Sequence, residues 1–190
     1  MTWTSHHRRG DVLREVIRTA DTRLDGRLPM DVDGVAETFG DELTLLGALQ
    51  LRWHTRLAGH VERALADQPL DLEGAVALAW LDAAEDMPGT RAIIDHHVAH
   101  PTSPEMARAV TIATGKEHEM LALMAGRASA PGEAAARVGR SIEAAARTSL
   151  REPQRRRSHP FSASPRRQRS LPRLPSSRSR PGPPSSTSAA

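Results

Sequence analysis

Two polar side chains, His60 and Glu117, stand alone on apolar helical faces of this 190-residue chain. Their neighbours at helical spacing are Leu, Val, Ala and Met. If the two helices face one another, the imidazole and the carboxylate would form a buried pair, an arrangement that occurs at active sites with perturbed pKa values. The alternative is a structural contact that sets the helix register, or an ion pair of Glu117 with Arg56.

Two further histidines, His54 and His97, extend this candidate group. His97 borders the same kind of apolar face. Together with His54 and His60 it forms a set that resembles the three-His metal sites of small helical-bundle thiol transferases. The resemblance rests on the histidines alone and implies a divalent metal as cofactor. A metal-dependent helical-bundle enzyme is therefore the alternative function.

Sequence motifs with a defined chemistry do not support an enzyme. The chain has no Cys, no Glu-x-x-His or His-Glu-x-x-His, no Gly-x-Ser-x-Gly and no glycine-rich phosphate loop. His96 and His100 are four residues apart but precede Pro101, at a helix end where the dipole favours cationic histidine. We therefore favour a non-enzymatic interaction or regulatory protein and assign no catalytic, cofactor-binding or metal-ligating residue.

Apolar periodicity and capping residues predict an all-α fold, a compact bundle of six to seven helices within residues 1–150. The longest pattern, Asp41–Asp67, begins at a capping aspartate, ends before Pro69 and is expected to lie at the centre. A loose arm over residues 1–10 precedes the first helix. The other predicted helices span residues 11–24, 31–39, 72–87, 90–100, 104–125 and 133–149.

Two surfaces are predicted to contact a protein partner or a second copy of the chain. Leu78 and Leu81 lie opposite the main apolar stripe of their helix, which gives that helix a second apolar face. The last helix, rich in alanine, is the other candidate surface.

A second resemblance concerns DNA binding. The segment Val35–Gly40 and the leucines after it resemble helix-turn-helix units, in which the following helix enters the major groove. Here that helix begins with Asp41 and Glu42, so it would meet phosphates with negative charge. We therefore expect a helical corner that binds no nucleic acid. The resemblance is carried by Ala36, Gly40, Leu43, Leu46 and Leu49.

Residues 151–190 have a different composition, with ten Arg, ten Ser, eight Pro and one acid, Glu152. Such a segment buries too little apolar surface to offset its ordering entropy and is predicted to be a disordered basic tail. Because the whole chain carries +3 and the tail carries +9, the first 150 residues carry −6. The basic character of the chain therefore belongs to the tail.

Three interpretations of this tail stay open. The tail is a basic arm that contacts RNA, DNA or an acidic surface through counterion release, an inert extension, or a frameshifted end. We favour the frameshift, because the composition changes abruptly and GC-rich DNA read out of frame yields Arg, Pro and Ser. The ratio of 25 Arg to one Lys also indicates a GC-rich gene.

Arg8 and Arg9 are followed by no apolar run of export or membrane-spanning length. The sequence thus predicts a soluble cytoplasmic protein with no membrane partner.

Overall fold

Seven α-helices build the part of the chain that this computed structural model describes, residues 3–158 for the backbone and 8–149 for the side chains. Those residues contain no β-strand, so the predicted all-α fold is confirmed. No helix among them has an apolar stretch that would cross a lipid bilayer. The helices are α1 (Trp3–Arg23), α2 (Val35–Phe39), α3 (Glu42–Ala66), α4 (Leu72–Asp86), α5 (Pro88–Ala99), α6 (Pro104–Met124) and α7 (Glu133–Ser158).

The long helix α3 lies at the centre of the bundle, as predicted, and packs against α1, α2, α4, α5 and α6. It begins where the Asp41 carboxylate accepts a hydrogen bond from the Thr44 amide at 2.7 Å. That bond satisfies an amide that the first helical turn leaves without a partner. The inner face is fully buried, which stabilises the fold by about 1.5–3 kcal/mol for each large side chain. These side chains are Leu45, Leu46, Leu49, Trp53, Leu57 and Val61.

The first helix begins earlier than its periodicity predicts. Residues 1–10 are predicted to be a loose arm, but α1 starts at Trp3. A tertiary contact involves the part of α1 that the sequence predicts to be a loose arm. The Arg9 guanidinium lies 4.4 Å from the centre of the Phe39 ring and donates a hydrogen bond to the Thr38 carbonyl at 3.1 Å. Contacts with residues so distant along the chain leave no periodicity in the local sequence.

Two other predicted helix starts are wrong. α2 begins at Val35 rather than Asp31, because the Asp31 carboxylate pairs with the Arg23 guanidinium at 2.6 and 2.7 Å instead of capping a helix. The bond from Arg23 lowers the pKa of Asp31 to about 2. α5 begins at Pro88 rather than Thr90. Proline has no backbone N–H. It fits the first helical turn because the N–H groups of that turn have no partner within the helix.

The last helix continues beyond the predicted end of the domain. The sequence predicts that this helix ends near Ser149 and that the tail begins at residue 151, whereas α7 extends to Ser158. Residues 159–190 lie outside the described range, so the predicted disorder of the tail stays a prediction.

Two glycines allow neighbouring helices to approach closely. A Cβ atom at Gly139 on α7 would overlap the backbone carbonyl of His118 on α6. A Cβ atom at Gly89 on α5 would overlap the backbone of Ala20 on α1. Both contacts therefore require a residue without a side chain, although glycine destabilises a helix relative to alanine.

We expect Gly139→Ala to lower the free energy of unfolding by about 1–3 kcal/mol, because the new methyl group pushes α7 away from α6. Gly115→Ala is the matched control, since a Cβ atom there meets nothing within 4 Å. That change should raise the free energy by about 0.5–1 kcal/mol. Urea unfolding followed by circular dichroism measures both, and equal effects would contradict the close approach.

Candidate functional site

The carboxylate of Glu117 on α6 is buried at the centre of the bundle, where the indole N–H groups of two tryptophans bind it. Trp53 Nε1 donates to Glu117 Oε2 at 3.0 Å, and Trp80 Nε1 donates to Oε1 at 2.9 Å. All three residues are at most 2% exposed. Because they belong to α3, α4 and α6, one carboxylate joins three helices.

Arg91 on α5 supplies the positive charge beside this carboxylate. Its Nη1 atom lies 3.4 and 3.5 Å from the two Glu117 oxygens. Its guanidinium carbon lies 4.9 Å from the centre of the Trp53 ring and 5.7 Å from that of Trp80, within reach of cation–π attraction. A buried carboxylate without such partners would be strongly destabilising, whereas a paired and fully bonded one is tolerated.

A chain of ion pairs connects this centre to α7. Arg91 Nη2 donates to Asp95 Oδ1 at 2.6 Å, and Arg147 donates to both Asp95 oxygens at 2.7 and 2.9 Å. Arg147 also donates to Glu143 at 2.6 Å. His118 Nε2 lies 2.6 Å from the other Glu143 oxygen. These bonds hold α5, α6 and α7 together.

The partners of Glu143 keep its carboxyl group ionised. Burial raises the pKa of Glu143, but the hydrogen bond with His118 and the charge of Arg147 outweigh burial and hold the pKa at about 2. Burial lowers the pKa of Arg147, but Asp95 and Glu143 outweigh it, so that pKa is raised. Glu143 and Arg147 are therefore both charged at neutral pH.

The network around Glu117 has the features of a structural element. Each oxygen of this carboxylate already accepts an indole hydrogen bond, and the residue is 2% exposed. A general base must come within hydrogen-bond distance of the proton that it removes. A substrate would have to enter the core of the bundle to meet that condition, because the surrounding side chains cover Glu117. We interpret the network as the contact that fixes the helices relative to one another.

The structure corrects the predicted pairing of His60 with Glu117. His60 Nε2 lies 2.7 Å from Asp86 Oδ2, at the end of α4. Arg56, the other predicted partner of Glu117, donates to the same Asp86 oxygen at 2.5 Å. The bonds from His60 and Arg56 lower the pKa of Asp86. Helical periodicity placed His60 beside the buried stripe but did not show which neighbour it meets.

The other two candidate ligands, His54 and His97, also pack against other residues of the bundle. His97 is 4% exposed, and its Nδ1 atom lies 2.8 Å from the carbonyl oxygen of Ile93, one turn earlier. His54 faces Ala113 on α6, and burial lowers its pKa. Within the described residues, no three His, Asp or Glu side chains are placed to hold a metal ion. The three-His resemblance therefore has no counterpart in that range.

The segment that resembles a helix-turn-helix unit forms a helical corner. α2 ends at Phe39, and α3 begins two residues after Gly40, which has a φ of 76°. Asp41 and Glu42 are exposed at the start of α3, so a phosphate backbone would meet two carboxylates there.

Two surface troughs lie along the outer side of α3, one on each side of Gly47 and Leu51. The first, of about 470 Å³, lies between α1 and α3, and the second, of about 390 Å³, lies between α3 and α6. We call Gly47, Leu51 and the residues lining the two troughs the α3 face. The first trough is also lined by Arg9, Leu13, Thr44, Ala48, Arg52 and Thr55. The second is also lined by Gln50, His54, Ala109, Ile112, Ala113 and Lys116.

The α3 face combines exposed apolar side chains with a buried donor that has no partner. Leu51 is 70% exposed and Ile112 is 59% exposed. A Cβ atom at Gly47 would meet nothing within 4 Å, so there is open space beside Leu51. Gln50 is 7% exposed, and its Nε2 atom forms no hydrogen bond with the described residues. Both features are typical of binding surfaces.

The two partner surfaces predicted from the sequence lie on α4, at Leu78 and Leu81, and on the last helix. Leu78 is 61% exposed as expected, but Leu81 is partly buried against the core. The available signal for the α3 face was Leu51, an apolar residue on the side of α3 opposite its buried stripe. Neighbouring helices α1 and α6 form the troughs, and that arrangement has no local pattern in the sequence.

Comparison with protein-family models, curated proteins and solved structures found no match.

We expect Glu117→Gln to lower the free energy of unfolding by about 3 kcal/mol or more. The amide turns an N–H₂ group toward one indole N–H and removes the charge beside Arg91. Glu62→Gln, at an exposed position of α3, is the control and should change the free energy by no more than about 0.5 kcal/mol. Urea unfolding followed by tryptophan fluorescence measures both, and a negligible effect of Glu117→Gln would refute the structural role.

A pH titration tests the network around Glu143. Its pKa of about 2 in the folded state lies below the unfolded value of about 4.3. Its stabilisation is therefore complete above about pH 5 and is lost as the pH falls toward 2, by about 2–3 kcal/mol in all. The free energy of unfolding of Glu143→Gln should fall less steeply over this range. Parallel curves for the variant and the unmodified protein would contradict the assignment.

Proposed function

We propose that this protein is a non-enzymatic interaction or regulatory protein that binds a helix of a partner protein on its α3 face. The observation that carries the proposal is Leu51, 70% exposed between two troughs and beside the open space at Gly47. Contiguous apolar surface of this kind is the usual mark of a binding site.

The shape of the α3 face suits an amphipathic helix. Such a helix presents apolar side chains at positions i, i+3, i+4 and i+7, and these enter the grooves of the surface that it contacts. On the α3 face, side chains on either side of Leu51 would enter the two troughs. The missing side chain at Gly47 lets the partner come close to α3.

The buried side of α3 supports the same proposal. Trp53, on the inner side of α3, is hydrogen-bonded to Glu117, so the helix is fixed from within. A binding surface on a fixed element loses little conformational entropy when a partner docks, which favours affinity.

An uncharged probe peptide tests the proposal. We expect an amphipathic peptide of about 18 residues, with Leu on one helical face and Gln elsewhere, to bind with a Kd of about 10–100 μM. Leu51→Asp should weaken binding about tenfold or more, because it removes a buried leucine and introduces a charge into the contact. Fluorescence anisotropy of the labelled peptide measures both affinities.

Leu78→Asp is the matched control, because Leu78 is nearly as exposed as Leu51 but lies on α4. Its affinity for the peptide should equal that of the unmodified protein, and circular dichroism confirms that each variant is folded. Equal affinities of Leu51→Asp and the unmodified protein would contradict the proposal. Loss of binding in Leu78→Asp alone would move the site to α4.

A further inference from the structure

The charged side chains that line the α3 face are all cationic. Arg9 and Arg52 line the first trough and Lys116 lines the second, whereas no Asp or Glu lines either one. This excess of positive charge is not a consequence of composition, because the first 150 residues carry a net charge of −6. The face is therefore positive within an acidic part of the chain.

Arg52 and Lys116 are both exposed and form no ion pair with the residues that the structure describes. Arg63 and Arg140 are likewise exposed and without an ion pair in the described residues, whereas several other exposed arginines pair with a carboxylate on their own helix. Examples are Arg14 with Asp11, Arg18 with Glu15, Arg108 with Glu105 and Arg137 with Glu133.

The floor of the second trough adds a further donor. Gln50 is more than nine-tenths buried there, and its Nε2 amide forms no hydrogen bond within the described part of the chain. Rotation of this side chain toward a carboxylate or carbonyl of a bound partner would give the donor an acceptor. The trough thus offers positive charge and a free donor but no carboxylate.

We infer that the partner helix is acidic, with its apolar stripe bordered on both sides by Asp or Glu. The inference rests on the proposed function and specifies its ligand. Leu51 and Ile112 contact the apolar stripe, Arg9 and Arg52 face carboxylates on one border, and Lys116 faces carboxylates on the other. Complementary charge of this kind selects the partner and its orientation as much as it strengthens binding.

Three peptides with the same leucines test the inference on the full chain, one each with Glu, Gln or Lys on the borders. At about 0.05 M salt we expect the Glu peptide to bind about tenfold more tightly than the Gln peptide, and the Lys peptide to bind most weakly. At about 0.5 M salt the difference between the Glu and Gln peptides should shrink to about twofold, because exposed charges are screened.

Charge reversal tests whether the Glu peptide binds the α3 face or the basic tail. The double variant Arg52→Glu with Lys116→Glu should reverse the preference, so that the Lys peptide binds more tightly than the Glu peptide. The matched control, Arg63→Glu with Arg140→Glu, changes the net charge equally at exposed positions outside both troughs and should keep the original preference. Equal losses in the two double variants would overturn the inference.

Chemical modification gives an independent readout, because Lys116 is the only lysine of the chain. Saturating Glu peptide should slow acylation of the Lys116 amine several-fold, and an unchanged rate would overturn the inference.

Other outcomes separate the inference from the proposed function. Equal binding of the Glu and Gln peptides, with both lost in Leu51→Asp, would overturn the inference and leave the proposed function standing. If light scattering shows a dimer that Leu51→Asp dissociates, the occupant of the α3 face is a second copy of this chain and the inference of an acidic partner helix is overturned. Binding to anionic vesicles and to none of the peptides would overturn both the inference and the proposed function.

Discussion

The burial of one carboxylate, that of Glu117, is the constraint on which the bundle depends. An ionised group removed from water must find its donors and its counter-charge inside the protein. Here the donors are Trp53 and Trp80, and the counter-charge is Arg91. Since these residues lie on three different helices, α3, α4 and α5 can satisfy the carboxylate on α6 only by converging on it.

This constraint has particular value in a core built largely from aliphatic side chains. Leucine, alanine and valine pack acceptably in several registers, so apolar stripes alone leave some freedom for one helix to slide on another. Hydrogen bonds to a buried carboxylate remove that freedom, because a shifted register would leave donors unbonded. Trp53 and Trp80 serve both purposes, since their rings meet edge to face at 5.9 Å while their N–H groups bind Glu117.

The same arrangement separates the inner and outer sides of α3. Its inner side is occupied by the core and by Glu117, and so is not available to a partner. Its outer side carries Gly47 and Leu51 between the grooves formed with α1 and α6. A central helix that is fixed from within presents this outer side in a defined position, which is why we assign the interaction function to it.

Local signals were sufficient for much of the fold. Capping by Asp41 is confirmed by the hydrogen bond that its carboxylate accepts from the Thr44 amide, and Asp71 and Ser103 accept the same kind of bond from the amides three residues later. Some errors involve a contact with a distant residue, as near the start of α1, where Arg9 contacts Phe39. Such contacts depend on how the helices are arranged, and the sequence near a helix end does not record them.

By itself, the sequence determined the helical class, the starts of the helices capped by Asp41, Asp71 and Ser103, and the burial of Glu117, because each follows from the order of residues within a single helix. Only the tertiary structure decided that Glu117 meets Trp53, Trp80 and Arg91 rather than His60, and that Gly47 and Leu51 lie between two troughs. The physical reason is the same in both cases. Periodicity specifies which side of a helix is buried, whereas the neighbour that covers it depends on packing between residues far apart in the chain.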